Sequence, residues 1–262
     1  MPVTAIKRSD IVKALDRIGR AYGPIQANRV LSDIRCVLDY AADRIGDDWQ
    51  PPRLKKLVRK EVVRDRVLSD AEIKKVWDTD NAFCQFLLLV SCRRDEAGAM
   101  TYGELQGDIW TLPAARNKAG VDLVRPLSKR ALEVLKTLPR NGDFVFGNTG
   151  MKRLQTYGRL KASVDAASGV KDWRLHDLRR TSRTLLSRAG ISPDVGERCL
   201  GHVIPGIRGV YDKHEFIDEK RHAYEELARL IDRIVNPPKD GVSVSDISEE
   251  REKRKARKRR RA

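Results

Sequence analysis

The sequence predicts an α+β fold, mostly helical with one small antiparallel sheet, and three observations carry that reading. Most apolar residues recur at three- and four-residue spacing, the period of a helix with one buried face. Helix start and stop signals punctuate the chain: Ser69 with Glu72 three residues on, the Ser192-Pro193 pair, and Gly190 and Gly201 just past apolar runs. Only between Glu104 and Leu127 does the pattern change to short strand-like runs around a turn. The 262 residues are 40% hydrophobic and 34% charged, the composition of a folded chain with one large domain or two modest ones.

Taken in order, Ile11, Val12, Leu15 and Ile18 predict a helix over residues 9–22, with Ser9 or Asp10 as its N-cap and Gly19 and Gly23 near its end. A second helix follows Pro24, with Val30, Leu31, Ile34, Val37, Leu38 and Ala41 on one stripe and Asn28, Arg29, Asp33 and Arg35 outside it. The stretch Gly46 to Arg66, with Trp49, Pro51, Pro52 and many cations, reads as a partly extended linker. The expected division is therefore a short helical unit with its linker at 1–66, a main domain at 67–236, and a basic, disordered tail at 237–262. In the main domain, helices are expected from Ser69 to about Trp77 and through residues 82–99, the second apolar over Phe83 to Val90 and ending in Arg93, Arg94, Asp95 and Glu96. Ile109 to Leu112 and Leu123 to Leu127 flank Asn117-Lys118-Ala119-Gly120 and predict a hairpin or meander. Helices follow over Lys129 to Leu138, Met151 to Ala166, Leu175 to Ala189, Pro193 to Leu200 and Ile217 to Val235, and no internal repeat is visible.

Composition also excludes classes of function. The longest purely apolar run, Phe86 to Val90, is far short of the roughly 20 residues that span a bilayer. Lys7, Arg8, Asp10 and Lys13 interrupt the apolar residues of the N-terminus, which therefore lacks a secretory h-region, and a cytoplasmic location is expected. Cys36, Cys84, Cys92 and Cys199 are widely spaced, which argues against a disulfide framework or a four-cysteine zinc site and predicts buried, reduced thiols. Cys199 and His202 have C-x-x-H spacing, but no second ligand pair follows, so no metal is expected. The net charge is +16, and the nine Lys and Arg against one Glu in residues 251–262 supply half of it. A basic body with a cationic tail suits a polyanion, because Lys and Arg displace the counterions condensed on phosphates.

Single residues carry little, since an arginine is ordinarily surface, a tyrosine ordinarily packing and a histidine ordinarily a satisfied hydrogen bonder. The joint spacing carries more. His176 and Arg179 stand at i and i+3 near the start of a helix, so both face one point, and the helix N-terminus adds to the attraction for an anion there. Leu200-Gly201-His202 follows at a helix end, and Tyr211 comes nine residues after that histidine.

These motifs resemble those of the tyrosine recombinases, the phage integrase family. His176-Asp177-Leu178-Arg179-Arg180-Thr181 resembles its H-x-x-R box, Leu200-Gly201-His202 its L-G-H box, and Tyr211 stands at the distance of its nucleophile. Ser91-Cys92-Arg93-Arg94-Asp95-Glu96 resembles the segment with the first catalytic arginine, and counting back three from Glu96 selects Arg93 over Arg94. Lys118 matches the hairpin lysine. The resemblance covers residues 9 to 235 and six catalytic positions in order: Arg93, Lys118, His176, Arg179, His202 and Tyr211. It implies the family's DNA breaking-rejoining catalytic fold behind a short helical N-terminal domain.

The implied chemistry is site-specific cleavage and rejoining of DNA through a 3′-phosphotyrosyl link on Tyr211, to integrate or excise a mobile element, with neither ATP nor cofactor. Arg93 and Arg179 would hold non-bridging oxygens, His202 would donate to the same phosphate, His176 would act as acid or base, and Lys118 would protonate the departing 5′ oxygen. Glu96 would hold the arginine helix. Arg29, Arg35, Arg94 and Arg180 are the expected further DNA contacts. The resemblance implies double-stranded DNA as partner, a monomer in solution, a homo-tetramer on DNA, and room for an accessory directionality factor, in a bacterial or phage setting. The stripe Ala223, Leu227, Leu230, Ile231 and Ile234 serves either the protein's own core or, as in the family, a neighbouring protomer.

The chain departs from the family pattern in three places. Only two clear helices fit before residue 46 where about four are usual, so the N-terminus reads as truncated. Cys92 and Asp95 flank the first arginine, and Asp95 is expected to weaken its hold on phosphate. The basic tail is also unusual. The alternatives are a degenerate remnant that only binds DNA and a type IB-like enzyme that relaxes DNA without strand exchange.

Overall fold

A computed structural model describes residues 2–46, 49–54, 57–62, 64–147, 150–202 and 215–237. The chain forms two compact units, Met1–Arg64 and Asp65–Ala262. In the first, α1 (Arg8–Tyr22) and α2 (Pro24–Ile45) are separated by Gly23 at φ 86°, and Pro24 opens α2, where its missing N–H costs nothing. The cap of α1 lies before the expected Ser9 or Asp10: Asp10 sits one turn in and accepts the Lys7 backbone N–H at 3.0 Å. Ile11 and Leu15 pack on Leu31, Leu38 and Leu54.

The stretch read as a linker is partly folded back onto this helix pair. Two helices alone leave their shared stripe half open, and Trp49, Leu54 and Leu57 close it. Asn28 pairs with the backbone of Arg59 as a strand would, donating to its carbonyl and accepting its N–H, both at 2.8 Å, and the Arg59 guanidinium meets Asp16 at 2.5 Å. Arg35 is a correction: it is half-buried rather than on the outer face, because its Nη2 donates to the Leu54 carbonyl at 2.8 Å. Arg29 is exposed. Cys36 is exposed too, against the expectation of a buried thiol, while Cys84, Cys92 and Cys199 are buried and burial pushes each thiol up to about 12.

The second unit begins with α3 (Asp70–Trp77), whose Ser69–Glu72 capping box forms as the sequence predicts. Next come α4 (Ala82–Val90) and α5 (Arg94–Gly98). Strands β1 (Leu105–Gln106), β2 (Ile109–Leu112) and β3 (Leu123–Pro126) make an antiparallel sheet in the order β1-β2-β3, with Trp110 opposite Arg125. Helices α6 (Lys129–Lys136), α7 (Tyr157–Ser168), α8 (Leu175–Arg188), α9 (Pro193–Leu200) and α10 (Ile217–Val235) complete it. The apolar α4 lies at the centre, packed by α6 and α8, with Phe86, Leu87 and Leu89 fully buried. The α10 stripe, Ala223, Leu227, Leu230, Ile231 and Ile234, is buried in this same core against α3, α9 and β3, so it serves the protein's own packing. Among the described residues, no helix is long and apolar enough to cross a membrane.

Two helices differ from expectation. The single helix over residues 82–99 is broken after Val90, where Ser91 takes the left-handed conformation at φ 55°. Helix α7 starts at Tyr157 rather than Met151, because the Leu154 N–H is spent on the Gly98 carbonyl at 2.8 Å instead of on a helical partner. Gly201 ends α9 at φ 71°, and a Cβ there would run into Leu123 Cδ2. Gly201→Ala should therefore lower stability by about 1–2 kcal/mol through left-handed strain alone, read as a drop in the denaturation midpoint; an unchanged midpoint would contradict this geometry.

Candidate active site

The break at Ser91-Cys92-Arg93 builds the site. Ser91 ends α4 with its carbonyl turned to Arg179 on α8, whose Nη1 donates to it at 2.7 Å. The Ser91 side chain meets Ser182, one turn further along α8, and the Ser182 hydroxyl donates to the Leu88 carbonyl at 2.7 Å. Two residues on, Arg93 caps α5 and is fastened to Glu96, its backbone N–H donating to Oε2 at 3.0 Å and its Nη1 to Oε1 at 2.6 Å. One bend thus fixes both arginines. A continuous helix from 82 to 99 could not do this, since its Ser91 carbonyl would be spent inside the helix.

Arg179 is buried at 4% exposure and fully engaged. Its Nη2 donates to the Leu200 carbonyl at 2.9 Å and to His202 Nε2 at 3.0 Å. Burial and the neighbouring Arg93 lower its guanidinium to about 10, so it stays cationic at neutral pH. His176, a turn earlier on α8, is held below its ordinary value by burial and by the charges of Arg179, Arg180 and Arg93. It is therefore neutral near pH 7 and able to accept a proton. Arg93, His176, Arg179 and His202 form one cluster of positive and imidazole groups, and beside it opens a cavity of about 490 Å³ lined by Arg93, Arg94, Tyr157, Trp173, Arg174 and His176.

Glu96 is 4% exposed, and its second partner is Arg125, which sequence reasoning missed. Arg125 is fully buried on β3, donates through Nη2 to Glu96 Oε2 at 2.7 Å and lies 5.0 Å from the Trp110 ring centre. Burial raises the Glu96 carboxyl, but Arg125 and the Arg93 contacts outweigh it and leave the group below its ordinary value. Asp95 does not compete for Arg93: it is exposed and pairs with Arg94 at 3.1 Å. Arg94 itself is exposed and lies over the Tyr157 ring.

The N-terminus of α8 is already capped by an acid, since Asp177 accepts the Arg174 N–H at 2.8 Å and also pairs with Arg180 at 2.8 Å. The pull on an anion at this site therefore comes from the side chains of the cluster more than from the helix end. Lys118 is exposed on the turn between β2 and β3, which Asn117 closes by donating to the Val121 carbonyl at 2.7 Å. Among the described residues no hydrogen bond or ion pair joins Lys118 to the cluster. Tyr211 lies outside the described residues, as does the basic tail. Tyr224 is fully buried, donates to the Cys199 carbonyl at 2.8 Å and is raised well above its ordinary value by burial, while burial and Asp95 raise Tyr157 to about 12. Both are packing groups. Among the described residues no group of His, Cys, Asp and Glu could hold a metal ion.

Comparison with known proteins agrees with this architecture. Prophage integrase IntA of Escherichia coli (strain K12) is 25% identical over 253 residues, covering 87% of this chain and 60% of the relative, so the chain spans three fifths of that protein's length. In fold, the chain is similar to a lambda integrase(75-356) dimer bound to a COC' core site, at TM-score 0.65 and 18% identity over 77% of this chain and 80% of that one. It is similar also to a lambda integrase tetramer bound to a Holliday junction, at TM-score 0.63 and 17% identity over 81% of this chain and 68% of that one. The family model described as "Phage integrase family" matches residues 60–216, a span that holds the whole cluster, and the chain belongs to that family.

Proposed function

We propose that this chain is a site-specific DNA recombinase that breaks and rejoins strands through a tyrosine. The observation that carries the reading is the convergence of Arg93, His176, Arg179 and His202 on one point, reached from α5, α8 and the end of α9. A phosphodiester in transit carries its growing charge on two non-bridging oxygens, and fixed guanidinium donors meet that charge without reorganising. Tyr211 Oη attacks phosphorus, a phosphotyrosyl bond forms at the 3′ side, and the P–O5′ bond breaks. His176, neutral near pH 7, takes the tyrosine proton, and Lys118, carried on an exposed turn, gives one to the departing 5′ oxygen. The phosphotyrosyl bond preserves the energy of the phosphodiester, so a 5′ hydroxyl from a second duplex can reverse the step. Duplex DNA and an assembly of four protomers on it belong to the same reading, supported by the lambda integrase structures of similar fold, one bound to a core site and one a tetramer bound to a Holliday junction.

Covalent trapping tests this. Incubated with nicked duplexes from the DNA flanking its own gene and denatured in SDS, the protein should give a protein-DNA adduct that Tyr211→Phe abolishes. Gel-shift binding to the same duplexes without an adduct would favour the DNA-binding remnant. Relaxation of supercoiled plasmid without synapsis would favour the type IB-like enzyme.

A further inference from the structure

His202 is held from both sides. At Nε2 it faces Arg179 Nη2 at 3.0 Å, and at Nδ1 it faces Glu197 Oε2 at 2.5 Å. Glu197 is in turn gripped by Arg183, whose Nε donates to Oε1 at 2.8 Å. Arg179 and Arg183 lie one turn apart on α8, Glu197 lies on α9 and His202 just beyond its end, so the four side chains form a chain that ties the two helices together. Burial raises the Glu197 carboxyl, but its bonds to Arg183 and His202 outweigh that and leave it below its ordinary value, hence ionised. A guanidinium has only N–H groups to offer, so His202 Nε2 must present a lone pair to Arg179, and the single proton of the neutral ring must stand on Nδ1, donated to Glu197.

We infer that Glu197 is a positioning residue that fixes the tautomer of His202 and makes its turn toward the scissile phosphate a proton-uptake step; this rests on the proposed recombinase reading. To donate to a phosphate oxygen, His202 needs a proton on Nε2. Moving the Nδ1 proton there would set a bare Nδ1 lone pair against the Glu197 carboxylate at hydrogen-bond distance, which is repulsive. The remaining route adds one proton from solvent to Nε2 as Arg179 Nη2 shifts its donation to the phosphate. The ring becomes an imidazolium with Nδ1–H on Glu197 and Nε2–H on the phosphate, and the carboxylate stays ionised throughout. Of the other charges packed here, Arg93 and Arg125 of β3 are bonded to Glu96, Lys220 of α10, buried, donates to the Val124 carbonyl at 2.7 Å, and His176 shares the cluster from α8. Glutamine at 197 removes the constraint, because its amide can donate to Nδ1 and leave a neutral ring with the proton on Nε2.

Two measurements on the full chain test the inference. In the first, ¹⁵N–¹H correlation spectra of histidine-labelled protein, free and with duplex bound, at neutral pH, assigned with His202→Gln, report which ring nitrogen holds the proton. Nδ1–H is expected in the free wild type, where Arg179 and Glu197 both require it; with duplex bound in a Tyr211→Phe background both ring nitrogens should carry a proton when Glu197 is present and Nε2 alone in Glu197→Gln, and the same state in both complexes overturns the inference, in an arm that needs no activity. In the second, adduct formation is followed against pH. The wild-type rate should fall toward alkaline pH because its phosphate contact takes up a proton, whereas Glu197→Gln should lack that fall and reach a maximum about tenfold lower. A merely structural glutamate would lower the rate at every pH and keep the profile's shape, and that outcome also overturns the inference. Absence of any wild-type adduct would instead count against the recombinase reading, with the tautomer still deciding what Glu197 does.

Discussion

Arg179→Lys is expected to slow formation of the covalent protein-DNA adduct by about 100- to 1,000-fold, the usual effect of removing one fixed donor from a site where negative charge develops. The charge is kept in this variant; the fork is lost. In the wild type, Nη1 is anchored on the Ser91 carbonyl at 2.7 Å while Nη2 reaches the Leu200 carbonyl at 2.9 Å and His202 at 3.0 Å. The anchored nitrogen aims the other one. A lysine ammonium at the same place has a single centre, so satisfying the Ser91 carbonyl withdraws it from the phosphate. Binding to duplex DNA should change only a few-fold by gel shift, because most of that affinity is spread over many backbone contacts. Rates are compared after correction for the folded fraction, since Arg179 also ties α8 to the ends of α4 and α9. A lysine variant that forms adduct within threefold of the wild-type rate would remove Arg179 from the proposed chemistry.

What the sequence could show of this site followed the range of the interactions. His176 and Arg179 are one helical turn apart, and a helix start is written locally, so their shared direction was legible. The same holds for the Ser69–Glu72 box and for the glycine that ends α9. Arg125 carried no such signal: it sits 29 positions from Glu96, and a cation in a short strand reads as an edge residue until the register with Trp110 is known. Arg183 and Glu197 are likewise 14 positions apart and meet only because α8 and α9 pack. The bend at Ser91 was hidden because the apolar pattern of α4 runs smoothly into a polar segment that could have continued the helix, and the tertiary hydrogen bond from Arg179 decides against it. The half-burial of Arg35 was hidden for a related reason. Its helical position faces outward on a bare α2, and only the returning segment at Leu54 covers it.

Glu96 is where fold and chemistry meet, and Glu96→Ala should lower stability by about 3–5 kcal/mol, the range for removing one partner of a buried ion pair. Arg125 would remain fully buried with its carboxylate partner gone; among the described residues its Nε and Nη1 already lack partners. Glu96→Gln should cost less, since its amide oxygen can still accept one bond. The pH dependence follows from the direction of the shift. Glu96 lies below its ordinary 4.5 in the folded chain, so its contribution is complete above that value and is lost as pH falls through the folded-state value. Denaturant unfolding at neutral pH should thus show the full gap between wild type and Glu96→Ala, and the gap should narrow only in acid below 4.5. A gap that stays constant into that range would mean that the variant loses packing rather than charge. The same substitution should free the Arg93 guanidinium, which Glu96 holds at 2.6 Å, so adduct formation by the folded fraction should fall as well. If that fraction kept the wild-type rate, Arg93 would be aimed by the α5 backbone alone and Glu96 would serve only the fold.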